Sequence, residues 1–211
     1  MTAGPPPRRF LIDGPEESAP RLVLAHGAGA PMDSELLASV ARRLAERGVR
    51  VFRFEFPYMR RRRESGSCRP PDRLPVLEAE WRDVVAELGD PRTLVIGGHS
   101  MGGRIASRVA DELGVAGLVC LSYPFHPPKR PDKLRTAHLE ELRTPALFLQ
   151  GERDPFGTPG EIAGYDLSPA IEISYLPDGD HSLKPRKRSG YSHASHLSAA
   201  AERIAEFATA R

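Results

Sequence analysis

The chain has 211 residues, 40% of them hydrophobic and 27% charged, with a net charge of +2. That suffices for one domain burying roughly 70% of its unfolded surface, and the composition excludes disordered and fibrous classes. No apolar run nears the roughly 18 residues of a membrane span and no charged-then-apolar leader follows Met1. Two cysteines are too few for a disulfide framework, and so small a charge gives no case for nucleic-acid binding. A cytoplasmic protein is expected, and 26 Arg against 4 Lys with no Asn suits a GC-rich bacterial genome.

The Pro-rich residues 1–8 are expected to be a flexible segment before a single domain over 9–211. Arg9–Ile12 suits an edge strand and Arg21–Ala25 a buried one. A helix is predicted over Ser34–Arg47, with Leu36, Leu37, Val40, Ala41 and Leu44 on one face and Gly48 as its stop. Val49–Phe54 is the next strand. The segment Pro57–Pro75 carries Arg60 to Arg63, Gly66, Pro70 and Pro71, so an exposed loop is expected there before a helix over Val76–Leu88. Strand Arg92–Ile96, helix Met101–Leu113 and strand Gly117–Leu121 follow. A Pro-rich loop over Ser122–Pro131 leads to a short helix near Thr136–Leu142. Strand Pro145–Gln150, a helical turn near Pro159–Tyr165, strand Ala170–Leu176 and a last helix over about His196–Thr209 complete the chain. Short apolar runs alternating with amphipathic stretches predict an α/β fold: an open, mostly parallel sheet of six or seven strands with helices on both faces.

Gly98-His99-Ser100-Met101-Gly102 fits the pattern G-x-S-x-G between a predicted strand and a predicted helix. Such a sharp turn would lift the Ser100 hydroxyl clear of the sheet. A serine hydroxyl needs a base beside it and a carboxylate to orient that base. Both should lie on loops leaving the same sheet edge. The loop after strand 145–150 offers Asp154, with Glu152 as a rival carboxylate. The loop after strand 170–176 offers His181, with Asp178 and Asp180 expected to shape its turn. The order Ser, acid, His is that of one large hydrolase architecture. Attack on a carbonyl would also need donors for the developing oxyanion. The backbone N–H of Met101 is one candidate, and that of Ala28 in His26-Gly27-Ala28-Gly29-Ala30-Pro31 is the other, with Gly29 as its alternative.

With these residues the chain resembles small, lidless α/β-hydrolases, similar in size to dienelactone-hydrolase-like proteins, over roughly 9–210. Gly97-Gly98-His99-Ser100-Met101-Gly102-Gly103-Arg104, Ser122-Tyr123-Pro124-Phe125-His126-Pro127-Pro128 and Asp180-His181-Ser182 resemble a narrower group. It includes bacterial predicted hydrolases, a testis-expressed protein and a subunit of the non-specific-lethal histone acetyltransferase complex. The resemblance implies Ser100 as nucleophile, His181 as general base and acid, and Asp154 as orienting carboxylate, with no cofactor. Dienelactone hydrolases use a cysteine nucleophile where this chain has Ser100, which argues against dienelactones as substrates.

The short stretch between Leu121 and Pro145 leaves room for a loop and one helix but no substantial lid, which disfavours a lipase acting at an oil interface and favours small soluble esters or thioesters as substrates. Tyr58, Tyr123, Phe125, His126 and Phe156 follow strand ends and are expected at the pocket wall, together with Met59. No His, Cys, Asp or Glu set has metal-ligand spacing. Arg60–Arg63, Lys129, Arg130, Lys133, Lys184, Arg186, Lys187 and Arg188 would form either an electropositive rim for anionic substrates or ordinary solvated charges. The expected activity is carboxylesterase-like acyl hydrolysis. The competing class is a non-catalytic hydrolase fold used for protein interaction.

Overall fold

Alternation within the apolar runs sets the layers. In strand β2 (Arg21–Ala25) Leu22 and Leu24 enter one core cluster while Val23 and Ala25 enter the other, so both faces of the strand are buried. The computed structural model describes residues 6–18 and 20–211. Its remaining strands are β1 (Leu11–Asp13), β3 (Arg50–Phe54), β4 (Leu94–His99), β5 (Gly117–Leu121), β6 (Ala146–Gly151) and β7 (Ile171–Leu176). They form one seven-stranded sheet in the order β1-β3-β2-β4-β5-β6-β7. Only β1 is antiparallel, pairing with β3 through Leu11 opposite Arg53.

Helices α1 (Glu35–Ala45) and α6 (His193–Thr209) cover one face, and α3 (Leu74–Leu88) and α4 (Met101–Leu113) the other. On α1 the five residues expected to face the core, Leu36, Leu37, Val40, Ala41 and Leu44, are all buried. Trp81 of α3 packs edge-on against Phe54 at 4.8 Å between ring centroids. The chain leaves β2 toward β3 on one side and β4 lies on the other, so the loops after β2 and β4 diverge and open a crevice at the carboxyl ends of the strands. Among the described residues, no helix is long and apolar enough to cross a membrane.

Three expectations change. The segment expected to be an exposed loop from Pro57 begins with helix α2 (Pro57–Ser65), whose Pro57, Tyr58 and Met59 are buried. Three of its four arginines are held by tertiary ion pairs: Arg60 with Glu80, Arg61 with Asp72, and Arg63 with Glu55 and Asp33. Arg60, Arg61 and Arg63 therefore contribute little net charge to a basic rim, and Arg186 is likewise paired with Asp178. The helix expected near Thr136–Leu142 is a single 3-10 turn, Ala137–Leu139. Of the segment 1–8 expected to be flexible, residues 1–5 lie outside the described residues, while Arg8 ion-pairs with Glu80 and Glu87 of α3. The short α5 (Pro159–Ile162) lies within the expected helical turn.

Candidate active site

The turn from β4 into α4 is made possible by missing side chains. A Cβ on Gly98 or Gly102 would collide with the carbonyl oxygen of Ala25, so the chain approaches β2 closely only with glycine there. Between them Ser100 adopts φ 52° and ψ −114°, a conformation L residues rarely take. It puts the hydroxyl at the mouth of the crevice, over the start of α4.

There Ser100 Oγ lies 2.8 Å from His181 Nε2, and His181 Nδ1 lies 2.8 Å from Asp154 Oδ2. A carboxylate only accepts, so Nδ1 carries the proton and Nε2 offers its lone pair to the Ser100 O–H. Three residues far apart in the chain thus form one continuous hydrogen-bond relay. It can draw a proton from the hydroxyl and hold the imidazolium that results. Glu152, the rival carboxylate, instead accepts the Asp178 N–H at 2.8 Å.

Asp154 is completely buried, and its carboxylate is oriented by other donors. Phe156 N–H donates to Oδ1 at 2.9 Å, and Gln150 Nε2 donates to Oδ2 at 3.0 Å and to the Gly157 carbonyl at 3.1 Å. Sequence reasoning missed Gln150, a fully buried amide at the end of β6. Its signal was one polar residue closing an apolar strand, four positions before Asp154.

The loop presenting His181 is fixed from both sides. Asp180 Oδ1 accepts the N–H groups of Ser182 and Lys184 at 2.8 and 2.9 Å, and Asp178 bonds Arg153 and Arg186, so both aspartates shape the turn as expected. Three successive carbonyls of this loop each receive a histidine N–H. His99 Nε2 donates to His181 O at 3.0 Å, His193 Nε2 to Ser182 O at 3.0 Å, and His196 Nδ1 to Leu183 O at 2.8 Å. Burial, and after it the neighbouring His181, pushes His99 down to about 4, so it serves as a neutral donor.

The loop after β2 is held by a similar device. His26, fully buried, donates from Nδ1 to Gly27 O at 2.7 Å and accepts the Phe56 N–H at Nε2, 3.1 Å away. Burial first, then Arg63 and Arg62, push it down to about 4. Tyr58 O–H donates to Ala28 O at 2.9 Å and reaches Gly27 O at 3.4 Å. In a trans peptide the C=O and N–H point in opposite directions. Fixing the Gly27 and Ala28 carbonyls therefore turns the Ala28 and Gly29 N–H groups away from Tyr58. Among the described residues no acceptor is bonded to the Ala28 N–H, and the Met101 N–H, in the first turn of α4, has no intrahelical partner.

The expected pocket wall is largely corrected. Tyr123 and Phe125 are fully buried and pack on Phe148 in the core, Tyr123 stacked at 5.0 Å between ring centroids and Phe125 tilted at 6.1 Å. Tyr58 and Met59 are interior too, and Tyr58 supports the loop after β2 instead of facing a substrate. His126, 2% exposed, lies behind the 154–157 turn, its N–H donating to Phe156 O. Phe156 alone of the five stands at the relay, half-buried and stacked on His181 at 4.1 Å and 30°. Strand ends alternate between facing the crevice and facing the core, and the one-dimensional pattern does not say which applies after a Pro turn.

A second Ser–His contact occurs two turns along α4, where Ser107 Oγ lies 2.9 Å from His138 Nε2. Ser107 O–H donates to Arg104 O at 2.8 Å, and among the described residues no carboxylate bonds His138. That pair joins α4 to the 3-10 turn. Among the described residues no group of three or more His, Cys, Asp or Glu is placed to hold a metal ion.

A family model described as an alpha/beta hydrolase domain matches residues 18–209. Among solved structures, a lidless α/β serine hydrolase from Xanthomonas campestris is 19% identical with a TM-score of 0.66, over 97% of this chain and 93% of the other. A dienelactone hydrolase from Anabaena variabilis is 20% identical with a TM-score of 0.69, over 94% of this chain and 89% of the other. An esterase domain of a Rhodothermus marinus protein is 16% identical with a TM-score of 0.67, over 97% and 99%. At these identities the structural likenesses concern the fold.

Proposed function

This chain belongs to the alpha/beta hydrolase domain family, and on that premise we propose that it is a carboxylesterase-like serine hydrolase of small soluble esters or thioesters. The carrying observation is the unbroken relay from Ser100 through His181 to Asp154, with both links at 2.8 Å. His181 Nε2 takes the Ser100 proton as Oγ attacks the acyl carbonyl, and the N–H groups of Met101 and Ala28 receive the oxyanion. The imidazolium returns that proton to the leaving alcohol or thiol as its bond to the acyl carbon breaks. Water then gives a proton to His181 and its hydroxyl to the acyl-serine, releasing the acid and restoring the Ser100 O–H. Asp154 stays ionised, orienting the ring and offsetting its transient charge.

The connection from β5 to β6 (122–145) holds only the turn Ala137–Leu139, so among the described residues this connection supplies no helical lid over the crevice. Small, soluble substrates suit such an open site. An esterase domain is among the proteins of similar fold, which agrees with this reading. A p-nitrophenyl ester panel of increasing acyl length, run on wild type and Ser100→Ala, tests it. Turnover of short esters that Ser100→Ala loses is expected. Absence of turnover across the panel by folded wild-type protein would leave a fold used for protein interaction.

A further inference from the structure

Among the described residues, Arg104 in the helix that follows the nucleophile turn and Arg135 in the loop that follows β5 lack counter-ions. Arg104 is the fourth residue after Ser100 and Arg135 lies in the loop following β5; among the described residues neither forms an ion pair or a side-chain hydrogen bond. Other arginines with buried or half-buried side chains, Arg8, Arg53, Arg60 and Arg61, are paired with carboxylates. Arg104 Nε is buried with no acceptor. A buried donor of this kind normally has a partner, and an unpaired one points to a group that arrives from outside.

The two residues belong to one neighbourhood. Arg135 O accepts the Tyr123 O–H at 2.9 Å, Tyr123 Oη lies 3.5 Å from His138 Nε2, His138 Nε2 lies 2.9 Å from Ser107 Oγ, and Ser107 Oγ donates to Arg104 O at 2.8 Å. Burial first and the Arg104 guanidinium second hold Arg135 below the usual arginine range, and no carboxylate offsets them. Neighbouring like charges without an anion destabilise the free protein. An anion placed between them would be favoured by both.

Four residues along a helix is about 6 Å, and helical side chains lean toward the N-terminus, so Arg104 leans back toward the Ser100 end of α4. We propose that Arg104 and Arg135 form an anion subsite beside Ser100 that binds a carboxylate borne on the acyl portion of the substrate, which selects half-esters of short dicarboxylic acids. This deepens the acyl-hydrolase reading and rests on it for the word substrate. It also relocates the source of positive charge from the outer loops to two half-buried guanidiniums.

The test compares kcat/KM for mono-p-nitrophenyl glutarate and p-nitrophenyl valerate, which share acyl length and differ in the terminal carboxylate. Wild type is expected to favour the glutarate half-ester. In Arg104→Gln and Arg135→Gln the glutarate-to-valerate ratio is expected to fall tenfold or more, with partial recovery in Arg135→Lys. Calorimetry with glutarate, in which no bond breaks, provides a readout independent of turnover, and circular dichroism screens each variant for folding. If Arg104→Gln does not fold, Arg135→Gln carries the test, since among the described residues the Arg135 side chain makes no hydrogen bond whose loss would disturb the fold. A ratio that stays the same in the folded variants, together with glutarate binding that Arg135→Gln does not weaken, overturns the subsite. Arginine-dependent glutarate binding without Ser100-dependent turnover would uphold the subsite and remove the hydrolase reading.

Discussion

Replacing Tyr58 by Phe removes a single oxygen and tests whether the loop after β2 is held for chemistry. The Tyr58 O–H donates to Ala28 O at 2.9 Å and approaches Gly27 O at 3.4 Å, while Gly27 O also has the His26 Nδ1–H at 2.7 Å. Burial pushes the phenol up, so it is a donor at any working pH. Tyr58→Phe leaves Gly27 O satisfied and Ala28 O without its partner, at a cost of about 1–2 kcal/mol for one hydrogen bond. For a domain of this size that lowers Tm by about 2–8 °C. Complete loss of an oxyanion donor lowers turnover about 10²–10³-fold. Here His26 still fixes the Gly27 peptide, so a fall in kcat of about tenfold is expected, with KM within about twofold. The assay is steady-state hydrolysis of a short p-nitrophenyl ester beside a thermal melt. A lower Tm with unchanged kcat would refute the link between this strut and the oxyanion donors. A rise in KM alone would return Tyr58 to the pocket wall.

Asp154→Asn should lower kcat by about 10⁴-fold, because the amide can donate to Nδ1 and so favour the wrong imidazole tautomer; a loss under about tenfold in stopped-flow or steady-state rates would speak against that role. Gly102→Ala forces a Cβ against the Ala25 backbone, and a destabilisation of about 1–3 kcal/mol in urea melts is expected, accompanied by loss of esterase turnover; unaltered stability would contradict the close approach. His26, His99 and His138 are each held at about 4, mainly by burial. In the unfolded chain they titrate near 6.5, so between those values the unfolded state binds more protons, and stability present above pH 6.5 is lost as pH falls toward 4. Each contributes up to about 1.4 kcal/mol per pH unit, less for the partly exposed His138. Urea midpoints should therefore drop between about pH 7 and about pH 5, and a flat profile would contradict the neutral buried rings.

The sheet was legible because its central strands are continuous apolar runs bounded by turns, as in Leu22–Ala25 and Leu118–Leu121, and because α1 and α4 repeat their apolar residues at helical spacing. Helix α2 was not legible. Its Arg60–Arg63 run has no apolar face, and its support comes from Glu80, Asp72, Glu55 and Asp33, which local sequence does not place beside it. The three residues of the relay were visible from one motif and two strand ends. Their support was not: His99, His193 and His196 matter only once the 181–183 backbone has folded back to meet them. Aromatic residues just past strand ends were misplaced for a related reason. Tyr123 and Phe125 turn inward under the 134–139 segment, whereas Phe156 turns outward onto His181.

Whether Ser100 is a nucleophile activated by His181 can be settled by intact-mass spectrometry after treatment with a fluorophosphonate. The account predicts one adduct per chain on the peptide containing Ser100, absent in Ser100→Ala and strongly slowed in His181→Gln. A folded wild-type protein that takes up no adduct, or an adduct formed equally fast without His181, would contradict it.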